Sequence, residues 1–113
     1  MAEPDLAGVA GVEAVTLMLD KSTPPRLVAR VTGYLGDACT RLGAIEQTLA
    51  DKTIKVNIGT LRPAGKMCAQ VIKDFEQEVA LNTAGLALGD YTVEINGVSK
   101  AFKVDAGGAK PAP

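Results

Sequence analysis

The pair Asn96-Gly97 constrains the fold of this chain more than any other feature of its sequence. Residues 91–95 before the pair and 98–104 after it alternate between apolar and polar side chains. Asn-Gly between two such segments is the strongest short-range signal for a β-hairpin, because both central residues of a type I′ turn need positive φ. The sequence therefore predicts a C-terminal hairpin, in which Asn and Gly form the turn.

The same period-two alternation runs through most of the chain, and no segment has a sustained helical stripe. Turn signals rich in Gly, Pro and Asp separate the alternating segments. About seven short strands result, which is typical of an all-β antiparallel sandwich. The least certain segment is 67–77, which also fits a short amphipathic helix; we prefer a loop followed by a strand. Before the hairpin, we expect strands at 12–20, 26–35, 42–49, 53–62 and 73–81.

One β-sandwich domain, residues 12–105, accounts for all these strands. Residues 1–11 are rich in Ala and Gly, and residues 106–113 in Ala, Gly and Pro, so we expect flexible ends. The first segment carries Glu3 and Asp5, where a secretory signal would carry Lys or Arg. It therefore does not resemble a signal peptide.

Composition excludes several classes of function. The 113 residues have a net charge of −1, which argues against a nucleic-acid surface. No apolar stretch approaches the roughly 18 residues of a membrane span. The chain has no His, and so lacks the commonest general base and zinc ligand. We therefore expect a protein that is not an enzyme and has no metal and no cofactor.

The two cysteines favour a disulfide. If the strands alternate in direction, those ending at Leu35 and Arg62 finish at the same end, and Cys39 and Cys68 follow them. A bridge between these loops would close about 30 residues and contribute roughly 3–4 kcal/mol. It would also imply an oxidising compartment. The alternative is two unpaired thiols in a cytosolic protein.

Tyr91 and Gly97 are interpreted as structural residues. The run Leu86-Ala-Leu-Gly-Asp-Tyr91 resembles the tyrosine corner of immunoglobulin-like sandwiches, in which the phenol bonds to backbone just upstream. Gly97 supplies the positive φ of the hairpin turn. A ligand-binding role for Tyr91 is the less favoured interpretation.

A resemblance to a known family rests on residues 31–35, Cys39, 54–58, Cys68, Phe75, Leu81 and 89–97. Through these residues, the stretch 30–104 resembles uncharacterised bacterial exported, lipoprotein-type immunoglobulin-like domains. The resemblance implies a sandwich and a secreted or cell-envelope location, periplasmic or surface, with the signal peptide absent from this chain. It implies no activity. The chain departs from antibody domains, because its cysteines do not lie on facing core strands and it has no Trp.

These observations favour a non-catalytic, exported cell-envelope domain with a binding, adhesion or scaffold role. We expect a monomer with a protein or envelope partner. The predicted contact surface is the rim that bears the cysteines, although these side chains also fit ordinary solvated loop charges. The rim comprises Asp37, Arg41, Arg62, Lys66 and Asn96 at the hairpin tip.

The alternative function is protease inhibition, by loops presented from one end of an immunoglobulin-like sandwich. Likeness of fold alone supports it, and fold does not imply function. An enzyme is the third hypothesis. Asp74, Glu76 and Glu78 share one strand face, where a solvated or charge-guarded edge is the simpler interpretation.

Overall fold

The computed structural model describes residues 6–22, 25–65 and 67–112. These residues form nine β-strands and no helix, and thus no helix that could span a membrane. The strands lie in two sheets, which confirms the all-β sandwich. They are β1 (Leu6–Val9), β2 (Gly11–Leu19), β3 (Leu27–Leu35), β4 (Arg41–Ala50), β5 (Thr53–Arg62), β6 (Lys73–Ala80), β7 (Gly89–Ile95), β8 (Val98–Asp105) and β9 (Gly108–Pro111).

The two sheets differ in width. The narrow sheet has the antiparallel order β2-β3-β6. In the wide sheet, β4 pairs with one edge of β5. Strands β1 and β7 lie end to end along the other edge of β5. Beyond β7, β8 pairs with β7 and β9 pairs with β8. The sheet is not wholly antiparallel as predicted, because β5 and β7 pair in parallel. Between β5 and β7 the chain crosses to the narrow sheet and forms β6. Because β6 runs back in the opposite direction, β7 enters the wide sheet in the same direction as β5.

The core lies between the sheets and follows the predicted alternation. Along β3, the side chains of Leu27, Ala29 and Val31 are buried, and along β5 those of Ile54 and Ile58. Burial of these apolar side chains is the main source of stability in such a sandwich. The largest fully buried side chains are Phe102, Leu27, Ile54, Ile58, Ile95, Val31 and Val93.

The structure confirms the C-terminal hairpin in the predicted register. Ile95 is opposite Val98, at the ends of β7 and β8. Asn96 and Gly97 have φ angles of 47° and 91° in the turn. Both angles are positive, as a type I′ turn requires.

The ambiguous segment 67–77 contains a loop and then a strand, as preferred. β6 begins at Lys73 and pairs with β3 along its whole length. Val79 is buried and Phe75 packs against the core, whereas Glu76 and Glu78 are exposed. This alternation has the period of a strand, and pairing with β3 excludes the helix.

The sandwich has nine strands where about seven were predicted, because residues at both ends pair. β1 lies within the segment expected to be flexible and pairs with residues 59–62. β9 lies within the expected flexible tail and pairs with residues 102–105. Both strands are only four residues long and occupy otherwise open strand edges. Residues 1–5 and 113 lie outside the described residues.

Candidate functional site

A disulfide joins two connections between strands at one end of the sandwich. We name this region the disulfide end; its described residues are 36–40 in the first connection and 63–65 and 67–72 in the second. Cys39 lies between β3 and β4, and Cys68 between β5 and β6, with their Cα atoms 5.8 Å apart. Each connection passes from one sheet to the other. The bridge was predicted and is confirmed. It ties the two crossings together and lies outside the core.

Hydrogen bonds reinforce this link. The backbone N–H of Ala38 donates to the carbonyl of Ala69 at 2.9 Å, next to the disulfide on both loops. The Lys73 amine donates to the carbonyls of Ala38 and Thr40, at 3.2 and 3.0 Å. The first connection is thus held from the second connection and from β6.

The carboxylate of Asp37 organises the first connection. One of its oxygens accepts hydrogen bonds from the N–H groups of Cys39 and Thr40 and from the Thr40 hydroxyl, at 2.8–2.9 Å. Its other oxygen lies 2.8 Å from Nε of Arg62 at the end of β5. These donors, the Thr40 hydroxyl foremost, hold the pKa of Asp37 below its ordinary value. Asp37 is therefore an ionised structural group at neutral pH.

The second connection presents apolar side chains to solvent. Met67 is 97% exposed, Ile72 is 73% exposed and Val71 is 50% exposed. The backbone N–H of Val71 donates to the carbonyl of Ala69, the same oxygen that Ala38 contacts. These apolar groups are therefore attached to a loop whose backbone is held in place. We name Met67, Val71 and Ile72 the apolar loop surface.

The predicted rim residues are only partly brought together. Asp37 and Arg62 form an ion pair at the disulfide end, and Arg41 begins β4 opposite Leu61, with an exposed side chain. Lys66 lies outside the described residues. The charges of Asp37 and Arg62 act on each other, within the protein.

Asn96 does not lie at the disulfide end, which corrects the predicted rim. Its backbone N–H donates to Val56 and its side chain bonds to Ile58, halfway along β5. Arg62 lies four positions further along β5 than Ile58, which is about 13 Å of strand. The parallel pairing of β7 with residues 53–56 causes this, because it stops the hairpin short of that end.

Tyr91 makes the local contacts expected of a structural residue. Its hydroxyl donates to the carbonyl of Ala87 at 2.8 Å, four residues upstream. Its ring stacks on Phe102 with centroids 5.4 Å apart, and the Lys52 amine lies 5.8 Å from the centroid. The ring is buried, so little of it faces solvent.

Asp37, Cys39 and Cys68 also place three potential metal ligands within 4.8 Å of one another. Thiolates bind metals, whereas both of these sulfurs are joined in a disulfide. The carboxylate already accepts the bonds described above. In its oxidised form this cluster is a structural brace.

Sequence reasoning missed the apolar loop surface. In the sequence, Val71 and Ile72 also fit a short amphipathic helix, in which apolar residues would face the core. Their position in the chain distinguishes a solvent-exposed loop from a helix that packs on the core. Val71 and Ile72 lie between Cys68 and Lys73, the first residue of β6, where there is no sheet to pack on.

Comparison with known proteins gives a family and no solved structure. Residues 29–104 match the model of the ORF11 beta-sandwich domain. An uncharacterized 10.2 kDa protein in the HgiCIIM 5′ region of Herpetosiphon aurantiacus is 32% identical over 93 residues, which are 82% of this chain and 98% of the relative. Similar 10.2 kDa proteins in the HgiBIM and HgiEIM 5′ regions of that organism are 35% identical over 83 residues, 74% of this chain and 100% of each relative. No solved structure matches. The family match covers more than half of the chain and both sheets, and the chain therefore belongs to the ORF11 β-sandwich domain family.

Proposed function

We propose that this protein is an exported, non-catalytic domain that docks on a cell-envelope protein through its apolar loop surface. The observation that carries the proposal is the 97% exposure of Met67 on a loop that is fixed by the disulfide and by the Ala38–Ala69 hydrogen bond. A loop that is ordered before binding loses less conformational entropy on association. Exposed apolar groups supply the area that binding removes from water.

The partner proposed here offers an apolar groove. The charged groups of Asp37, Arg62 and Lys73 already bond to other groups of the protein, so they are not the main recognition elements. Met67 and Ile72, in contrast, are largely exposed to solvent. Methionine suits such contacts, since its unbranched, polarisable side chain adapts to an irregular surface.

The disulfide supports the exported location, because disulfides persist in oxidising compartments. The finer assignment, a lipoprotein-type immunoglobulin-like domain in the periplasm or on the surface, is part of the same proposal. The bond from the Tyr91 hydroxyl to Ala87 supports it, as a tyrosine-corner contact.

The acidic groups support a non-catalytic role. Asp20, Asp37 and Asp105 have pKa values below the ordinary range, each because turn N–H or hydroxyl groups donate to the carboxylate. Such carboxylates are ionised caps of turns. A general acid needs the opposite shift, toward neutral pH.

Site-specific crosslinking tests the docking surface. A photoreactive amino acid is placed at position 72 in the disulfide end or, as a control, at position 88, which is 68% exposed near the opposite end. In envelope fractions of the source cell, we expect a protein adduct from position 72 and none from position 88. Equal adducts from both positions, or none from position 72, would contradict the proposal.

Protease inhibition is the second candidate, and the fixed exposure of Met67 favours it too. An exposed side chain on a loop fixed by a disulfide suits insertion into an active-site cleft. A panel of cysteine and serine proteases tests this. Inhibition that Met67→Asp abolishes would support this candidate over general docking, and no inhibition at micromolar protein would remove it.

A further inference from the structure

Strand β4 has one open edge. It pairs with β5 on one side, and no strand within the described ranges pairs with it on the other. Seven of its ten residues are exposed. Proteins usually shorten such edges or guard them with charges, because an open edge is a template for another strand. Between residues 45 and 50, Glu46 is the one charged residue.

Two exposed apolar side chains lie on the inward face of β4. Ile45 is opposite Ile58, and Leu49 is opposite Ile54, so each pair shares one face of the sheet. The β5 members are at most 2% exposed, whereas Ile45 is 36% exposed and Leu49 is 52% exposed. The narrow sheet therefore covers the inward side chains of β5 but leaves Ile45 and Leu49 of β4 exposed to solvent.

The side chain of Gln47 links β4 to the residues at the end of β6. The Gln47 amide donates to the carbonyl of Ala80 at 2.7 Å and accepts from the N–H of Asn82 at 2.9 Å. Gln47 thus holds β4 in position and leaves the two apolar neighbours on its face exposed.

We propose that this edge pairs with the β4 strand of a second copy, antiparallel and about a two-fold axis at Gln47. This register sets Ile45 of each copy opposite Leu49 of the other. Both exposed apolar side chains then gain an apolar cross-strand partner on the same face. On the outer face, Glu46 meets Thr48.

The neighbouring registers are worse. A two-fold axis at Glu46 sets two carboxylates opposite each other, and an axis at Thr48 sets Ile45 opposite Asp51. Like charges directly opposite destabilise a sheet. Registers with the axis between residues bring the inward face of one copy against the outward face of the other.

The β-bulge between Leu42 and Ile45 limits the pairing to the second half of β4. The contact is therefore short, and the dimer is expected to form at high protein concentration and to dissociate on dilution.

Sedimentation over a concentration series tests the dimer, with samples up to about 1 mM. We expect a monomer–dimer equilibrium that Ile45→Lys or Leu49→Lys weakens at least about tenfold. The control is Leu88→Lys, another exposed leucine, which should leave the equilibrium unchanged. A wild-type monomer at every concentration, or a dimer that Leu49→Lys does not weaken, would overturn the proposal.

Cysteine crosslinking tests the register. Residues on the two-fold axis have Cα atoms about 4.5–5.5 Å apart, within the reach of a disulfide. Gln47→Cys should therefore form covalent dimers under mild oxidation, and Glu46→Cys should not. Crosslinking by Glu46→Cys alone would overturn the register. Pairing with a strand of another protein would appear as monomers in pure solution, and so would overturn the proposal as well.

Discussion

The side chain of Asn96 pairs with the backbone of Ile58 as a neighbouring strand residue would. Its Oδ1 accepts from the Ile58 N–H at 2.9 Å, and its Nδ2 donates to the Ile58 carbonyl at 3.0 Å and to that of Ala10 at 2.8 Å. β7 ends beside Val56 and β1 ends beside Gly59. Asn96 therefore fills the gap between two strands that share one edge of β5.

Asn96→Ala should lower the free energy of unfolding by about 2–4 kcal/mol, because it leaves Ile58 and Ala10 without these partners. Urea unfolding measures the loss. Asn57→Ala on the exposed face of β5 is the matched control and should change stability by about 0.5 kcal/mol or less. Equal effects of the two substitutions would show that the bridging role is wrong.

Tyr91→Phe should cost about 1 kcal/mol, since it removes one hydrogen bond, to Ala87, and keeps the ring stacked on Phe102. Tyr34→Phe alters the other tyrosine, which is 40% exposed, and serves as the control. Thermal unfolding of both variants checks the difference. If Tyr91→Phe were as stable as wild type, the hydrogen bond from Tyr91 to Ala87 would not contribute to stability.

Removal of the disulfide by Cys39→Ser together with Cys68→Ser should lower stability by about 3–4 kcal/mol, as estimated from the chain entropy of its loop. The sequence separation of the two cysteines is 29 residues. Urea midpoints measure the loss, and reduced wild type should match the double variant. A midpoint that reduction leaves unchanged would contradict the bracing role.

Acid should destabilise the fold through Asp20, Asp37 and Asp105. Their pKa values are lower in the folded protein than the ordinary 3.8, so the unfolded chain binds protons first as the pH falls. Their contribution is complete above about pH 5 and is lost as the pH falls through the folded values. Urea midpoints between about pH 7 and pH 2 measure this. Asp37→Asn should flatten the dependence, and an unchanged dependence in this variant would contradict the account.

Local pattern sufficed to predict the hairpin and the inward faces of β3, β5 and β6. Each of these segments alternates between apolar and polar side chains, and turn residues mark where each strand ends. The four-residue strands β1 and β9 could not be found in this way. Each pairs because a distant strand, β5 or β8, offers an open edge.

The candidate site was likewise predictable only in part. Strand direction alone placed Cys39 and Cys68 at one end. It failed for Asn96, because the turn preference of Asn-Gly already explained that residue and nothing local indicated parallel pairing with β5. The apolar loop surface escaped prediction because exposure of Met67 depends on where the neighbouring strands end.

The disulfide also changes how the domain would respond to tension. Cys39 and Cys68 enclose the whole β4–β5 hairpin in a covalent ring. A force applied across the chain ends passes through the bridge, so the enclosed residues cannot be drawn out. When the domain unfolds under force, the extended chain would be roughly 100 Å shorter with the disulfide intact than with it reduced. Under load, the hairpin remains a closed loop that bears no force.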